Sequence, residues 1–295
     1  MSPTSKAFVQ LHVSIILAGF TGILGKLISM SEGMLVFYRM FFTLIIFAIF
    51  LLATRQLEKI PFKHMLKIAF SGVLICVHWL FFYASIKLSN VSIGVVCFSL
   101  VGFFTALLEP FFMRMRFSWR EFAYSILTVL GVLLIFSFDV RYRVGIIVGV
   151  IAALISALYT ISIRTLCKGY SPSTTLLYQM GGGVGFLFLI LPFYISFFNI
   201  TYLIPSLEDA LMLLVLAVFC TIGMTFLFIQ SLQYVSAFTA NLSYNLEPVY
   251  SIFLAIAFLG EARELNFSFY LGLSCIILSV VLQSLWVMRH KPNLN

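Results

Sequence analysis

Residues 8–28 read FVQLHVSIILAGFTGILGKLI, a run of 21 residues in which Lys26 carries the single charge. An α-helix needs about 20 apolar residues to cross about 30 Å of hydrocarbon, so this run predicts a membrane span. The apolar core of a signal peptide is shorter, roughly 7–15 residues, and we therefore expect the run to be retained as the first helix. The complete set of predicted spans is 8–28, 34–54, 66–87, 91–113, 121–139, 144–164, 174–198, 209–230, 236–259 and 267–288.

The composition also predicts a protein embedded in lipid. Of its 295 residues, 62% are hydrophobic and 9% are charged, whereas a soluble domain has about 25% charged residues. The net charge of +8 does not indicate nucleic-acid binding, because the Lys and Arg residues lie in short gaps between the spans and form no patch. Since all gaps are short, we expect no attached soluble domain.

No motif for ATP hydrolysis, a cofactor or a metal is present in the sequence. Gly19 and Gly25-Lys26 approach a phosphate-binding loop, but five residues intervene instead of four, and Leu27 follows where Ser or Thr is needed. Five widely separated cysteines show neither metal-ligand nor disulfide spacing. The run GGGVG at 181–185 follows no strand and predicts close helix packing. We therefore expect no cofactor, no metal and no ATPase subunit.

The charges between the spans predict an orientation in the membrane. When tails, gaps and span ends are counted together, the side of the N-terminus carries 12 Lys and Arg residues and the other side carries 5, and Arg39 lies inside a span. Because cytoplasmic loops are enriched in these residues, both termini are predicted to lie in the cytoplasm. The short tails lead us to expect a multi-pass protein of a bacterial inner membrane.

The ten spans divide into two sets of five with similar spacing. Residues 83–92 and 229–237 are both polar hinges that follow the third span of their set, and 103–108 matches 249–254 at an offset of 146. An odd number of spans per set inverts the second set relative to the first. The predicted fold is an all-α integral membrane protein whose ten transmembrane helices form two inverted five-helix repeats, 8–139 and 144–288.

Several motifs resemble one transporter family. The stretches YNLEPV at 244–249 and FLGE at 258–261, with Gly272, resemble the ninth and tenth spans of the EamA family, in the drug/metabolite transporter superfamily. Further similarity is found at Gly22, Gly25-Lys26 and Arg39 in the first two spans and at Gly145, 157–160 and Arg164 in the sixth. The resemblance covers about residues 10–288. The chain departs from it after the fourth span, where Arg114-Met115 replaces a frequent Gly-Glu.

The resemblance implies a fold and a mechanism. It implies ten helices with both termini inside, and alternating access to a central cavity lined by spans 1, 3, 4, 6, 8 and 9. Substrates of the family are amino acids, related metabolites and some amphipathic organic compounds, which are most often exported.

Ionisable residues inside a span are costly, roughly 2.5–3.5 kcal/mol on insertion scales, and usually face a cavity or a partner. Glu247 precedes Pro248, which frees a backbone carbonyl and kinks a helix. A carboxylate at a kink suits a gate, a proton carrier or an amine site, or else Glu247 pairs with Arg39 and holds the bundle. Arg39 is accordingly a candidate for gating, for a solute carboxylate or for a structural pair.

A second acidic residue, Glu109, also precedes a proline. The repeat offset aligns Glu247 with Val101 and not with Glu109, so the two prolines do not correspond. We expect Glu109 to approach the cytoplasmic face and to pair with Arg114 and Arg116.

The third span carries a candidate cavity face. His78 and Trp79 lie in its middle, with Phe82 and Tyr83 one turn later, and the i, i+4 spacing places His78 and Phe82 on one side. Imidazole donates, accepts or takes a proton, and tryptophan provides a flat wall. The alternative is a packed polar contact between helices.

The ninth span carries a polar stripe. Asn241, Tyr244 and Asn245 follow the i, i+3, i+4 pattern of one helix face. Amides in lipid need partners, which favours a cavity face. Tyr159 in the sixth span is a weaker candidate for the same cavity.

These observations predict a secondary transporter and not an enzyme. The solute is expected to be an amino acid or a related metabolite, and the direction is expected to be export. The alternatives are a structural or sensory multi-pass membrane protein and, further off, a membrane enzyme acting on lipid, which needs paired carboxylates or a nucleophile with a base at one depth.

Overall fold

The computed structural model describes residues 2–138, 140–167, 169–244, 246–263 and 265–289, without the side chains of 121, 137–138, 140, 166–167, 237–238, 241–242 and 283–289. These ranges consist of helices joined by short loops and contain no strand. The helices are α1 Pro3–Leu27, α2 Glu32–Ala53, α3 Phe62–Leu88, α4 Val91–Phe98, α5 Val101–Met113, α6 Trp119–Phe138, α7 Arg143–Cys167, α8 Pro172–Phe198, α9 Leu207–Ala217, α10 Met224–Ser231, α11 Ala237–Tyr244, α12 Glu247–Leu259 and α13 Phe267–Arg289.

Seven helical stretches of the described chain are long and apolar enough to cross a membrane. The other predicted spans, 121–139, 236–259 and 267–288, correspond to shorter apolar helices. Large side chains such as Phe111, Phe197 and Phe253 lie on the outer surface, as expected where the solvent is lipid. The prediction of an all-helical, multi-pass membrane protein is confirmed, and the ten-span inverted repeat stays a prediction.

Two of the predicted spans are broken in their middle at matching places. The first consists of α4 and α5, and the second consists of α11 and α12. Each segment of the second lies 146 residues after its counterpart, and each pair has equal length. Both spans end at a residue with positive φ, Arg114 at 53° and Gly260 at 69°. The offset found in the sequence therefore describes the helix ends as well.

Buried carboxylates join helices at one end of the bundle, which we call the Glu261 end. Glu261 accepts hydrogen bonds from the Val91 and Ser92 amides at 2.9 and 3.0 Å and from Ser92 Oγ at 2.7 Å. It thereby caps α4, where a negative charge is favoured by the helix dipole. Asp209 accepts from the amide and hydroxyl of Ser29 at 3.0 and 2.6 Å. Both contacts connect residues of the predicted first repeat to residues of the second.

The opposite end, which we call the Glu58 end, contains the loop between α2 and α3. Glu58 accepts from Thr174 Oγ1 at 2.6 Å and from Ser171 Oγ at 3.2 Å, at the start of α8. No counterpart of Glu261 caps α11, because position 115 is Met. Ser236 caps α11 by accepting from the Thr239 amide at 3.0 Å, just as Asn90, 146 residues earlier, caps α4 by accepting from the Ile93 amide at 2.9 Å.

Glycines allow the closest helix contacts. A Cβ atom on Gly182 of α8 would lie 2.3 Å from the Ala69 carbonyl oxygen of α3, and one on Gly72 of α3 would lie 2.0 Å from the Gln179 carbonyl oxygen. Nothing lies within 4 Å of the corresponding point on Gly185. The predicted close packing therefore occurs at Gly182, where the backbones of α8 and α3 approach each other, and not at Gly185.

We expect Gly182→Ala to destabilise the protein more than Gly185→Ala. The added methyl group at 182 meets backbone atoms of α3, so the helices must separate, and overpacking of this kind costs about 1–3 kcal/mol. Thermal unfolding of both variants in the same detergent measures the difference. Equal melting temperatures would contradict the close α3–α8 contact.

Candidate functional site

A cavity of about 70 Å³ lies among α1, α2, α3, α4, α7, α10, α11 and α12. At about 10–15 Å³ per water molecule, it holds roughly five waters. Its wall is mostly aromatic and apolar, with a few polar groups. The lining residues are Ala18, Thr21, Arg39, Ile75, His78, Trp79, Phe82, Phe98, Ser156, Tyr159, Thr160, Met224, Thr225, Phe228, Tyr244 and Glu247.

Most of the side chains singled out in the sequence meet at this cavity. His78, Trp79, Phe82, Tyr159, Tyr244, Glu247 and Arg39 all line it. Tyr83 does not line it but accepts a hydrogen bond from Arg39, which does. Pro248 is buried in the first turn of α12, where its missing N–H costs no helical hydrogen bond. Asn245 and the side chain of Asn241 lie outside the described part of the structure.

Arg39 is the largest fully buried side chain, with 0% of its surface exposed. Its Nε donates to Thr221 Oγ1 at 2.7 Å, its Nη1 donates to Tyr83 Oη at 2.7 Å, and its Nη2 donates to the Cys220 carbonyl at 2.8 Å. The guanidinium carbon lies 3.8 Å from the centre of the Trp79 ring, a cation–π distance. The guanidinium is therefore surrounded by neutral groups of α3 and of the helical segment Val218–Gly223 that follows α9.

A π-helical segment provides two of these partners. Residues Val218–Gly223 between α9 and α10 form a π-helix, a conformation that occurs often at functional sites. Thr221 Oγ1 donates to the Leu216 carbonyl at 2.9 Å while accepting from Arg39. The wider helical turn leaves the Cys220 carbonyl available to the guanidinium. Arg39 therefore links α2, α3 and this segment.

Glu247 does not pair with Arg39. Among the described residues, no carboxylate oxygen lies within 4.0 Å of the Arg39 guanidinium, and the Glu247 carboxyl accepts no hydrogen bond. Its side chain is 4% exposed, at the start of α12 in the cavity wall. The hypothesis of a structural Arg39–Glu247 pair is wrong, because Arg39 is satisfied by neutral partners.

His78 contributes an acceptor to the cavity. Its Nδ1 lies 3.0 Å from the Ala152 carbonyl oxygen of α7. Since a carbonyl only accepts, Nδ1 carries a proton, and Nε2 of the neutral ring is an acceptor. The ring also packs 5.8 Å from the Phe82 ring and 5.3 Å from the Phe98 ring, between ring centres. His78 therefore borders the cavity and also connects α3 to α7, and its role in binding a solute stays a prediction.

Tyr244 presents its ring to the cavity and uses its hydroxyl elsewhere. Its Oη lies 2.8 Å from Ser14 Oγ on α1. The ring meets the Phe228 ring edge to face, with 5.2 Å between centres. Tyr244 is therefore a wall of the cavity, and its polar atom stabilises a helix contact.

Glu109 lies away from this cavity and pairs with a different arginine from those expected. Its Oε1 lies 2.7 Å from Arg164 Nη1 of α7. The expected partners were Arg114 and Arg116. Arg114 ends α5 in a left-handed conformation, whereas α7 packs alongside α5 and brings Arg164 to the carboxylate.

Sequence reasoning missed about half of the lining residues. Ser156 and Thr160 lie four residues apart and flank Tyr159, a helical spacing that signals one face. Thr225 and Phe228 are three apart, with the same signal. Hydroxyl and phenylalanine side chains are too frequent in this chain for such a pattern to stand out.

Comparison with known proteins identifies relatives of the chain. The model of the EamA-like transporter family matches residues 6–137 and again residues 143–285. The uncharacterized transporter YxxF of Bacillus subtilis (strain 168) is 26% identical over 268 residues, which cover 88% of this chain and 84% of that protein. A solved crystal structure of a protein superposes with a TM-score of 0.72 at 16% identity, covering 97% of this chain and 99% of the other. This last likeness concerns the fold alone.

We expect Tyr83→Phe to destabilise the protein more than Tyr38→Phe. The first change removes the acceptor of a buried guanidinium N–H, and hydrogen bonds to charged groups are worth about 1.5–3 kcal/mol. The second removes an exposed hydrogen bond of 3.0 Å to the Leu203 carbonyl. Thermal unfolding of both variants tests this. A Tyr83→Phe variant as stable as the wild type would show that the Tyr83 hydroxyl does not stabilise the buried Arg39 guanidinium.

Proposed function

Because the chain belongs to the EamA-like transporter family, within the drug/metabolite transporter superfamily, we propose that it is a secondary transporter that moves small organic solutes by alternating access. The observation that carries this proposal is the central cavity, whose walls come from both matched segments. Polar groups are costly inside a membrane protein unless they have partners or a function. His78 and Glu247 both bring such groups to the cavity.

The two halves are proposed to be inverted repeats that move against each other. The matching breaks and helix ends, 146 residues apart, support this. The packing supports it as well. The third span of the first half, α3, packs against the first span of the second half, α7. In the same way, the third span of the second half, which contains α10, packs against the first span of the first half, α1. Spans α6 and α13 contact each other, as do α2 and α8. Exchange of the halves leaves this set of contacts unchanged.

Alternating access requires the cavity to widen. A space for roughly five waters is smaller than most metabolites need, so entry of a solute must displace the surrounding side chains or helices. The contacts of the Glu261 end and of the Glu58 end would open in turn. Since these contacts are hydrogen bonds between the halves, each is reversible at modest cost.

The proposed solutes are amino acids or related metabolites, and the proposed direction is export. The proposed location is a bacterial inner membrane with both termini in the cytoplasm, because Lys and Arg concentrate at the Glu58 end. No ATPase subunit, cofactor or metal is part of the proposal. Polar side chains in the cavity wall, such as His78 and Glu247, favour transport over a purely structural or sensory role.

Purified protein in liposomes is expected to catalyse counterflow of at least one labelled amino acid from a broad panel. We expect His78→Ala to abolish this counterflow, because it removes a cavity acceptor and opens the wall. His12→Ala is the matched control, since His12 lies on the exposed side of α1.

Size-exclusion profiles and melting temperatures establish that both variants are folded. Wild-type protein that moves no amino acid or metabolite of the panel would contradict the transport function. Equal counterflow by His78→Ala and the wild type would contradict the placement of the solute.

A further inference from the structure

The polar side chains of the cavity differ in how much of their hydrogen-bonding capacity is already used. Glu247 lines the cavity with a carboxyl that receives no hydrogen bond from the described residues. A carboxylate withdrawn from water without donors is costly. A bound group that carries both a positive charge and N–H donors would offset that cost.

A second acceptor lies in the same wall. His78 uses Nδ1 to donate to the Ala152 carbonyl, so Nε2 of the neutral ring accepts. No described residue donates to this nitrogen. Glu247 and His78 can therefore each accept a further hydrogen bond, and they suit a ligand that donates one.

The aromatic wall also favours a cation. Rings of Trp79, Phe82, Phe98, Tyr159 and Phe228 surround the space. Their faces carry negative potential, and several such rings around one site form the arrangement that recognises ammonium groups.

Arg39 is poorly placed to receive an anion. Its side chain is 0% exposed, three of its N–H groups are already used, and one face is covered by Trp79. Its charge is spread over oxygen acceptors and the indole ring. Although Arg39 borders the cavity and keeps two of its five N–H groups outside these three hydrogen bonds, it has no exposed surface, so a solute carboxylate has no open approach to the guanidinium in this conformation.

We infer that the cavity recognises the ammonium group of its solute through Glu247, with His78 as the second acceptor, and that a carboxylate on the solute is not required. This inference rests on the proposed function for its biological meaning, because the group recognised belongs to the transported solute. It narrows that function, since amines without a carboxylate become ligands and acids without an amine do not.

The test is a binding series in which one group changes at a time. L-Leucine is compared with isoamylamine, 4-methylpentanoate and isoamyl alcohol, and L-phenylalanine with phenethylamine and 3-phenylpropanoate. The full-length protein carries Trp119→Phe and Trp286→Phe, so that Trp79 in the cavity wall reports binding by fluorescence. We expect saturable changes with both amines and none with the acids or the alcohol.

The matched variants are Glu247→Gln and Glu109→Gln. The first removes the charge and keeps the shape, and should weaken amine binding by about tenfold or more. The second changes the acid paired with Arg164, away from the cavity, and should leave amine binding unchanged. Equal amine binding by Glu247→Gln and the wild type would overturn the inference.

The wild-type series decides the matter even where Glu247→Gln does not fold. Binding of the acids but not the amines, or of no compound in either series, would overturn the inference. Counterflow separates the two proposals. Transport that persists unchanged in Glu247→Gln would refute the ammonium site and leave the transport function intact. Amine binding by a wild-type protein that transports nothing would support the ammonium site and refute the transport function.

Discussion

The structure depends on burying one guanidinium in the middle of an apolar bundle. Arg39 has no carboxylate within 4.0 Å in the described chain, and its hydrogen bonds go to a phenol, a hydroxyl and a backbone carbonyl. A buried charge that loses a partner is strongly destabilising, so α2, α3 and the π-helical segment are held in register around it. This arrangement leaves Glu247 without a partner among the described residues, and we propose that this acid determines what the cavity binds.

The two halves share a scaffold but differ where charges are used. The helices α2 and α8 begin 140 residues apart, at Glu32 and Pro172, and on that offset Arg39 corresponds to Gln179, which is buried and donates to Ser71 Oγ at 3.1 Å. In the same way, Glu261 places a carboxylate at the start of α4, whereas the position that corresponds to it in the first half is Met115. The charged residue is Arg39 of the first half in one contact and Glu261 of the second half in the other, so the two halves are not chemically equivalent. Equivalent movements of the two halves need not have equal free energies, and such a difference can set which side of the cavity opens more readily.

Sequence reasoning located the helices well, because each apolar run and its flanking polar residues determine a span locally. The predicted span 174–198 ends where α8 ends, and the offset of 146 matches the helix ends. The π-helix was not predicted, since residues 210–229 carry no charge and contain no proline to mark a break. The partners of Arg39 and Glu109 could not be predicted either, because they depend on which helices become neighbours and, for Arg39, on a carbonyl left available by the π-helical turn.

The central claim is that the cavity is a solute site open to one side of the membrane at a time. Thr225→Cys, on α10 in the cavity wall, in a chain whose five native cysteines are replaced, tests it with a membrane-impermeant maleimide added to either side of oriented vesicles. We expect labelling from one side at a time, and a change in its rate when solute is added. A cysteine that reacts from neither side, with or without solute, would contradict it.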